Sequence, residues 1–159
     1  MRLILVRHAE AHPLGLDGVD SDDKRALTPK GHATSQALAE FFQRRDIPFQ
    51  QIVTSGYVRA DETAEPLRLI KPHELIRIPE FAPDEFRPKY VSKALNELGV
   101  NTVVVVGHMP NLGAYARWLL GLNKPLSFEK GAALGLKCKG GIRADEAELE
   151  WYLPPEHYE

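Results

Sequence analysis

Short apolar runs alternate along this chain with segments of helical periodicity, and this alternation is what most restricts the fold. The clearest runs cover residues 3–6, 51–54 and 102–106, and they are rich in β-branched side chains. Runs of this kind predict strands that are covered on both faces. Strands that alternate with helices predict an α/β fold, here a three-layer α/β/α sandwich around a mostly parallel central sheet.

Capping signals locate the predicted helices. Thr28 and Pro29 are a typical N-cap and first helical residue, and this helix is predicted to extend to about Arg45. A second helix is predicted over residues 57–69, where Pro66 is expected to shorten or kink it. The other predicted elements are a short strand over 76–80, helices over 87–98 and 111–120, and a terminal hairpin or edge pair formed by 132–137 and 147–153. A chain of 159 residues fits a single domain spanning residues 1–159.

The composition of the chain excludes several classes of partner and of metal site. The formal net charge is -2, so no general attraction to nucleic acid or to an acidic membrane is expected. Cys138 is the only cysteine, which excludes an internal disulfide and a cysteine-based zinc cluster and favours a cytoplasmic location. The N-terminal apolar run ends at Arg7 and is too short for a signal peptide or a membrane span.

Cationic residues follow three of the predicted strands at their carboxyl ends. Arg7 and His8 follow the first strand, Arg59 lies just after the turn that follows the second, and His108 follows the strand at 102–106. The carboxyl ends of parallel strands meet at one edge of a sheet, so these side chains are expected to share a crevice. Two histidines and two arginines, with no cysteine or ligand-spaced carboxylates nearby, suit an anion better than a metal. Phosphate is the anion we expect, because the guanidinium fork matches its oxygens.

The segment between the first strand and the first helix looks different in composition. Residues 9–26 contain several aspartates together with proline and glycine, and they offer little apolar surface to bury. We therefore expect a surface loop there.

The residues at the strand ends resemble the histidine phosphatase superfamily, also called the phosphoglycerate mutase-like superfamily. Its Arg-His-Gly signature stands here as Arg7-His8-Ala9, followed by Glu10-Ala11, a variant similar to the small phosphohistidine phosphatases of that superfamily. Three further segments resemble that subgroup in order and spacing: Arg25-Ala-Leu-Thr28 with Gly31, the stretch from Ser55 to Thr63, and Val106-Gly-His-Met-Pro110. The resemblance extends from residue 2 to about residue 154.

The resemblance implies a fold like that of phosphoglycerate mutase and a covalent mechanism without a cofactor or a metal. His8 would attack phosphorus and become a phosphohistidine that water later hydrolyses. Arg7, Arg59 and His108 would hold the phosphoryl oxygens and stabilise the charge of the transition state. Because His8 must be neutral to attack, we expect a hydrogen bond, most simply to a backbone carbonyl, to fix its second nitrogen.

Two positions depart from the family pattern, and one further residue is a candidate. Ala9 replaces the usual glycine, which argues against an especially close backbone approach there. Gly56 stands where many relatives have proline, so a looser turn is expected before Arg59. Glu80, in Ile78-Pro79-Glu80, resembles the segment that carries the superfamily's general acid.

Three functions are compatible with these residues. The first is a phosphatase for phosphohistidine on a partner protein, favoured because the interval between Arg59 and His108 has no long insertion to cover a small substrate. The second is a phosphomonoesterase for a small phosphorylated molecule. The third is a phosphate-binding module without turnover, which the full set of Arg7, His8, Arg59 and His108 disfavours. A membrane or nucleic acid partner is not expected.

Overall fold

The computed structural model describes residues 1–15, 18–72, 74–84 and 86–159, within which six strands form one sheet. The strands are β1 (Arg2–Arg7), β2 (Gln51–Thr54), β3 (Leu75–Arg77), β4 (Thr102–Gly107), β5 (Ala133–Cys138) and β6 (Ala147–Leu153). Their order across the sheet is β3-β2-β4-β1-β5-β6, and of these six β5 runs opposite to the others. The predicted α/β fold with a mostly parallel sheet is confirmed.

Helices cover both faces of this sheet. They are α1 (Pro29–Arg44), α2 (Val58–Ile70), α3 (Pro88–Asn96) and α4 (Asn111–Leu120). Helices α1 and α2 pack against one face, which contains Ile4 and Val104, whereas α3 and α4 pack against the other, which contains Leu5 and Val105. Alternate residues of a strand point to opposite faces, so the uniformly apolar runs supply both cores. The three-layer α/β/α arrangement follows from that.

Local signals located most element boundaries. Thr28 caps α1 as predicted, because its Oγ1 accepts a hydrogen bond from the Gly31 N–H at 3.0 Å. The terminal pair β5 and β6 is antiparallel as predicted, and β5 also pairs with β1, so the pair extends the central sheet. In the described part of the chain no helix is both long and apolar enough to cross a membrane.

The structure departs from one expectation about the elements and refines two others. Helix α2 is not shortened at Pro66: it extends from Val58 to Ile70, close to the predicted range of 57–69, and it buries Leu67 in the core against the sheet. The strand predicted at 76–80 ends at Arg77, since Pro79 lacks an N–H and begins a short 3-10 turn, Pro79–Phe81. The segment 9–26, whose residues 16 and 17 lie outside the described ranges, is half-buried or exposed at its other described residues, as expected for a surface loop, except at its first residue. Ala9 is fully buried in it.

The chain leaves β1 and β4 in opposite directions. From β1 it proceeds to α1 on one face of the sheet, and from β4 to α4 on the other. Because β1 and β4 are neighbours, this divergence opens a crevice at their carboxyl ends, which is where parallel α/β sheets bind ligands.

Gly31 allows the start of α1 to approach the segment that follows His8. A Cβ atom at position 31 would lie 2.1 Å from the carbonyl oxygen of Glu10. The same carbonyl accepts the backbone N–H of Thr28 at 3.0 Å, and the Thr28 hydroxyl donates to the Glu10 carboxylate at 2.9 Å. The contact holds the backbone just beyond His8 against the N-terminus of α1.

We expect Gly31→Ala to destabilise the protein although it adds a better helix former. Overpacking against a backbone carbonyl costs about 1–3 kcal/mol, whereas helix propensity alone would stabilise by about 1 kcal/mol. The matched control is Ala33→Gly at an exposed position one residue beyond His32 in the same turn, where only propensity acts. Urea unfolding measures both changes, and a Gly31→Ala protein as stable as wild type would contradict the close approach.

Candidate active site

The pairing of β1 with β4 brings two histidines together. Arg7 stands opposite Gly107 in the parallel register, and the His8 N–H donates to the Gly107 carbonyl oxygen at 3.0 Å. Each strand then ends in a histidine, and the ring centroids of His8 and His108 are 5.2 Å apart. The predicted convergence of these two residues is confirmed.

His8 is buried, and both of its ring nitrogens have partners. In the neutral ring, Nδ1–H donates to the carbonyl oxygen of Ala9 at 2.7 Å, which is the backbone contact expected from the sequence. Nε2 then carries the lone pair and accepts a hydrogen bond from Nε of Arg59 at 3.3 Å. This tautomer makes Nε2 the nucleophilic atom.

Arg59 is positioned through Thr63, one turn further along α2. The Thr63 hydroxyl accepts the Ala9 N–H at 3.0 Å and donates to the Arg59 carbonyl oxygen at 2.6 Å. One buried hydroxyl therefore joins the peptide after His8 to the first turn of α2. Ala9 is packed with no exposed surface, so its methyl group is accommodated there.

The turn between β2 and α2 is held by two hydroxyl groups. The Gly56 N–H donates to Thr54 Oγ1, and the Tyr57 N–H donates to Ser55 Oγ, both at 3.2 Å. Gly56 has a φ of 88°, which proline cannot adopt, and it uses an N–H that proline lacks. Side-chain hydrogen bonds therefore hold this turn in a conformation that proline at position 56 could not adopt.

His108 lies over this turn. Its Nε2 is 2.7 Å from the hydroxyl oxygen of Ser55, and the Tyr57 ring meets the imidazole edge-on with centroids 5.1 Å apart. The guanidinium carbon of Arg59 lies 5.1 Å from the centroid of the same tyrosine ring. Tyr57 therefore packs against both the His108 ring and the Arg59 guanidinium group.

Arg7 faces the crevice from the end of β1. Its Nη1 donates to the carbonyl oxygen of Phe128 at 3.0 Å, and its backbone carbonyl accepts the Gly131 N–H at 3.0 Å. The segment before β5 thus holds both the side chain and the backbone of Arg7.

Two of the buried side-chain atoms without a hydrogen-bond partner belong to Arg7 and His108, the residue before His8 and the ring beside it. Within the described ranges these unpaired atoms are Arg7 Nε, His108 Nδ1 and Ser21 Oγ. Buried donors are almost always paired in folded proteins, because leaving one unpaired costs about 1–3 kcal/mol. An anion with several acceptor oxygens, such as a phosphoryl group, would satisfy unpaired donors on Arg7 and His108.

The crevice keeps both histidines neutral. Burial lowers the pKa of His8 to about 4, and the nearby charges of Arg59 and Arg7 act in the same direction against the hydrogen bond to Ala9. Burial also lowers the pKa of His108 to about 3, reinforced by the charge of Arg59 and by His8. Positive charge at this edge therefore comes from the arginines. Among the residues described, no group of three or more His, Cys, Asp and Glu side chains is arranged to hold a metal ion.

Asp22 is a site residue that sequence reasoning missed. It lies in the loop after β1, in the 3-10 turn Asp22–Lys24, and its carboxylate contacts Arg59 Nη2 at 3.1 Å and Arg25 Nη1 at 3.0 Å. The Asp22 carbonyl oxygen also accepts Arg59 Nη1 at 2.7 Å. Hydrogen bonds from both arginines outweigh partial burial and lower the pKa of Asp22. A solvated loop was expected from the sequence, because nothing in it indicates that Asp22 pairs with Arg25 and Arg59.

Glu80 lies beyond the carboxyl end of β3, at the same edge of the sheet as the other four predicted residues. It follows β3 in the 3-10 turn, and the Asn111 side chain at the start of α4 ties that turn to the site by donating to the Ala82 carbonyl at 2.7 Å. Among the described contacts, none joins Glu80 to His8 or to His108. Its role as an acid stays a prediction.

Comparison with known proteins identifies the family of this chain. The family model of the histidine phosphatase superfamily (branch 1) matches residues 3–86, which is more than half of the chain. The chain belongs to the histidine phosphatase superfamily. Phosphohistidine phosphatase SixA from Escherichia coli (strain K12) is 29% identical over 159 residues, which cover 98% of this chain and 94% of the relative.

Two solved phosphatase structures share the fold. The histidine phosphatase SixA complexed with tungstate has a TM-score of 0.85 and 24% identity, and the match covers all of both chains. The alpha-ribazole phosphatase from Shigella flexneri has a TM-score of 0.75 and 18% identity, covering 98% of this chain and 97% of that one. The fold of this phosphatase is therefore that of the phosphoglycerate mutase-like enzymes.

The two neutral histidines predict a specific dependence of stability on pH. Their pKa values are about 4 and about 3 in the folded state and near 6.5 in the unfolded chain, so acid protonates the unfolded state first. The free energy of unfolding should be unaffected by these groups above pH 6.5. It should then fall by about 1.4 kcal/mol per pH unit for each histidine as the pH drops toward 4.

Denaturant titrations at several pH values measure this slope. The double variant His8→Asn and His108→Gln keeps amide groups near the Ala9 and Ser55 contacts but does not titrate, so its stability should change much less between pH 6.5 and 4. An equally steep decline in the variant would show that other groups cause it.

Proposed function

We propose that this phosphatase uses His8 as a nucleophile and dephosphorylates phosphohistidine on a partner protein. The observation that carries the mechanism is the state of His8: buried, neutral, with Nδ1–H bound to Ala9 and Nε2 in contact with Arg59. An unprotonated imidazole nitrogen beside a guanidinium group suits attack on an anionic phosphorus centre.

The reaction then has two displacements at phosphorus. In the first, the Nε2 lone pair of His8 forms a bond to phosphorus while the bond to the leaving atom breaks, and the leaving atom keeps that electron pair. In the second, a water oxygen attacks the phosphorus of phospho-His8, the pair returns to Nε2, and inorganic phosphate leaves with the remaining water proton passing to solvent. Arg7, Arg59 and His108 are the groups proposed to hold the phosphoryl oxygens in both steps.

Chemistry and relatedness favour phosphohistidine as the substrate. A phosphorylated imidazole that carries a proton on its other nitrogen leaves as a neutral ring, so the enzyme need not supply a strong acid. The relative that matches this chain over nearly its whole length is named for that activity.

The architecture between Arg59 and His108 favours a large substrate. Helix α2 packs on one face of the sheet through Ala64 and Leu67, and α3 packs on the other through Val91. Both helices of this interval therefore cover the faces of the sheet, and the part of the interval at its carboxyl edge is the short turn Pro79–Phe81. A protein surface that presents a phosphohistidine would have room to approach.

We expect His8→Ala to abolish turnover while leaving the fold intact, because the lost nitrogen forms the covalent bond. The matched control is His32→Ala, which removes an exposed histidine of α1 whose Nε2 lies 3.5 Å from Oε2 of Glu62. Rates are measured with EDTA present, using a phosphohistidine protein, an aryl phosphate and metabolite phosphates as substrates.

Trapping the intermediate gives an independent test. Wild-type protein mixed with substrate and quenched without acid should carry phosphate on His8 by mass spectrometry. Phosphate on a different residue, or undiminished rates in His8→Ala, would contradict the mechanism. A wild-type enzyme that prefers a metabolite phosphate would replace the substrate assignment with a small-molecule phosphatase.

Glu80→Gln should separate the substrate classes by their leaving groups. General acid catalysis contributes about 10²–10⁴ in rate where the leaving group needs a proton, as an alkoxide does. If Glu80 is the acid, the variant should slow alkyl phosphate hydrolysis strongly and phosphohistidine hydrolysis very little. The measurement is kcat on both substrates.

The matched control for Glu80 is Glu74→Gln, an exposed carboxylate just before β3. Both variants remove one negative charge from the flanks of the same short strand. Equal and small effects of the two variants on alkyl phosphate hydrolysis would mean that Glu80 is a surface charge.

A further inference from the structure

The Ser55 hydroxyl and the His108 imidazole form a buried pair. Ser55 is 3% exposed and His108 is 1% exposed, and Oγ lies 2.7 Å from Nε2. The two residues follow different strands, β2 and β4, which pair in parallel, so the sheet itself sets this distance.

The hydrogen-bond partners of the serine decide the direction of this bond. Ser55 Oγ already accepts the Tyr57 N–H at 3.2 Å. Among the described residues, the only other partner of Oγ is His108 Nε2, so the hydroxyl proton has one acceptor. The serine therefore donates, and Nε2 of His108 accepts. A neutral imidazole that accepts at Nε2 carries its proton on Nδ1.

That proton has no acceptor in the described structure. His108 Nδ1 is buried and lacks a hydrogen-bond partner, and its ring lies beside the His8 ring at 5.2 Å between centroids. A buried donor held without a partner next to a nucleophile is typical of a site built to meet an incoming acceptor.

We propose that Ser55 is a positioning residue that fixes His108 as the Nδ1–H tautomer, so that His108 donates a hydrogen bond to a phosphoryl oxygen. The inference rests on the proposed phosphoryl-binding role of His108 and adds to it the residue that sets its proton. The two histidines then have complementary states. His8 is bound at Nδ1 by Ala9 and reacts at Nε2, whereas His108 is bound at Nε2 by Ser55 and donates from Nδ1.

The tautomer is measured directly by NMR, without any substrate. Long-range ¹H–¹⁵N correlation spectra of protein labelled at histidine nitrogens distinguish a protonated Nδ1 from a protonated Nε2, and His108→Gln assigns the signals. Wild type should show His108 protonated at Nδ1 near neutral pH. Ser55→Ala should show a mixture or the opposite tautomer. Wild-type protein with the proton on Nε2 would overturn the proposal.

Kinetic measurements test whether the tautomer fixed by Ser55 matters for turnover. Ser55→Ala should lower kcat by about 10²-fold, comparable to loss of one transition-state donor. Ser55→Thr keeps a hydroxyl and should restore most of the activity and the Nδ1–H signal. An Ala variant with wild-type kcat would overturn the role of the serine.

Thr54→Val is the matched control for a merely structural effect. The Thr54 hydroxyl also accepts a backbone N–H of this turn, from Gly56, but it bonds Asp61 and not His108. Thr54→Val should leave the His108 tautomer unchanged and lower kcat much less than Ser55→Ala. Equal losses of kcat, with unchanged His108 signals in both variants, would show that Ser55 only supports the turn.

Failure of this inference is distinguishable from failure of the proposed function. Full turnover by His108→Gln would remove His108 from the phosphoryl site. Loss of turnover in His108→Gln together with wild-type rates in Ser55→Ala would overturn only the role of Ser55. All rates are compared on whichever substrate the wild type hydrolyses, so the test does not depend on phosphohistidine being that substrate.

Discussion

The parallel pairing of β1 with β4 is the contact on which the site depends. It aligns Arg7 with Gly107, so the next residue of one strand and the next residue of the other are both histidines at the same edge. A slip of one residue would reverse which side chains face each core and would separate the rings. Both strands are apolar on both faces, and their position in the middle of the sheet holds this register under two layers of helices.

Burial gives these histidines their chemistry at a cost in stability. Removal of water and the nearby arginine charges favour the neutral forms of His8 and His108, which leaves a lone pair on Nε2 of His8 and, in the proposed tautomer, a donor at Nδ1 of His108. The same burial leaves Arg7 Nε and His108 Nδ1 without partners in the described structure. The well-packed core beneath the site offsets the cost of these unpaired atoms. It is formed by the valines of β4 and the leucines of β1.

Short hydroxyl bridges connect the elements that carry the site. Thr63 joins the Ala9 peptide to α2, Ser55 joins the β2–α2 turn to His108, and Thr28 joins α1 to the segment after His8. Thr63 and Ser55 are buried, whereas Thr28 is half-buried at the start of α1. These bridges explain why the segments that resemble the superfamily contain threonine and serine between the reactive residues, and they place Arg59 between two such contacts.

The sequence by itself determined the strand-end positions of Arg7, His8, Arg59 and His108 and the α/β layering, because both follow from local apolar patterns and their spacing. Only the tertiary structure decided where the protons lie and which groups face the arginines. Ser55 and His108 are 53 residues apart in the chain, and Asp22 and Arg59 are 37 apart. Hydrogen-bond direction, burial and charge depend on distances between such remote residues, and these distances exist only after the sheet has paired and water has been excluded.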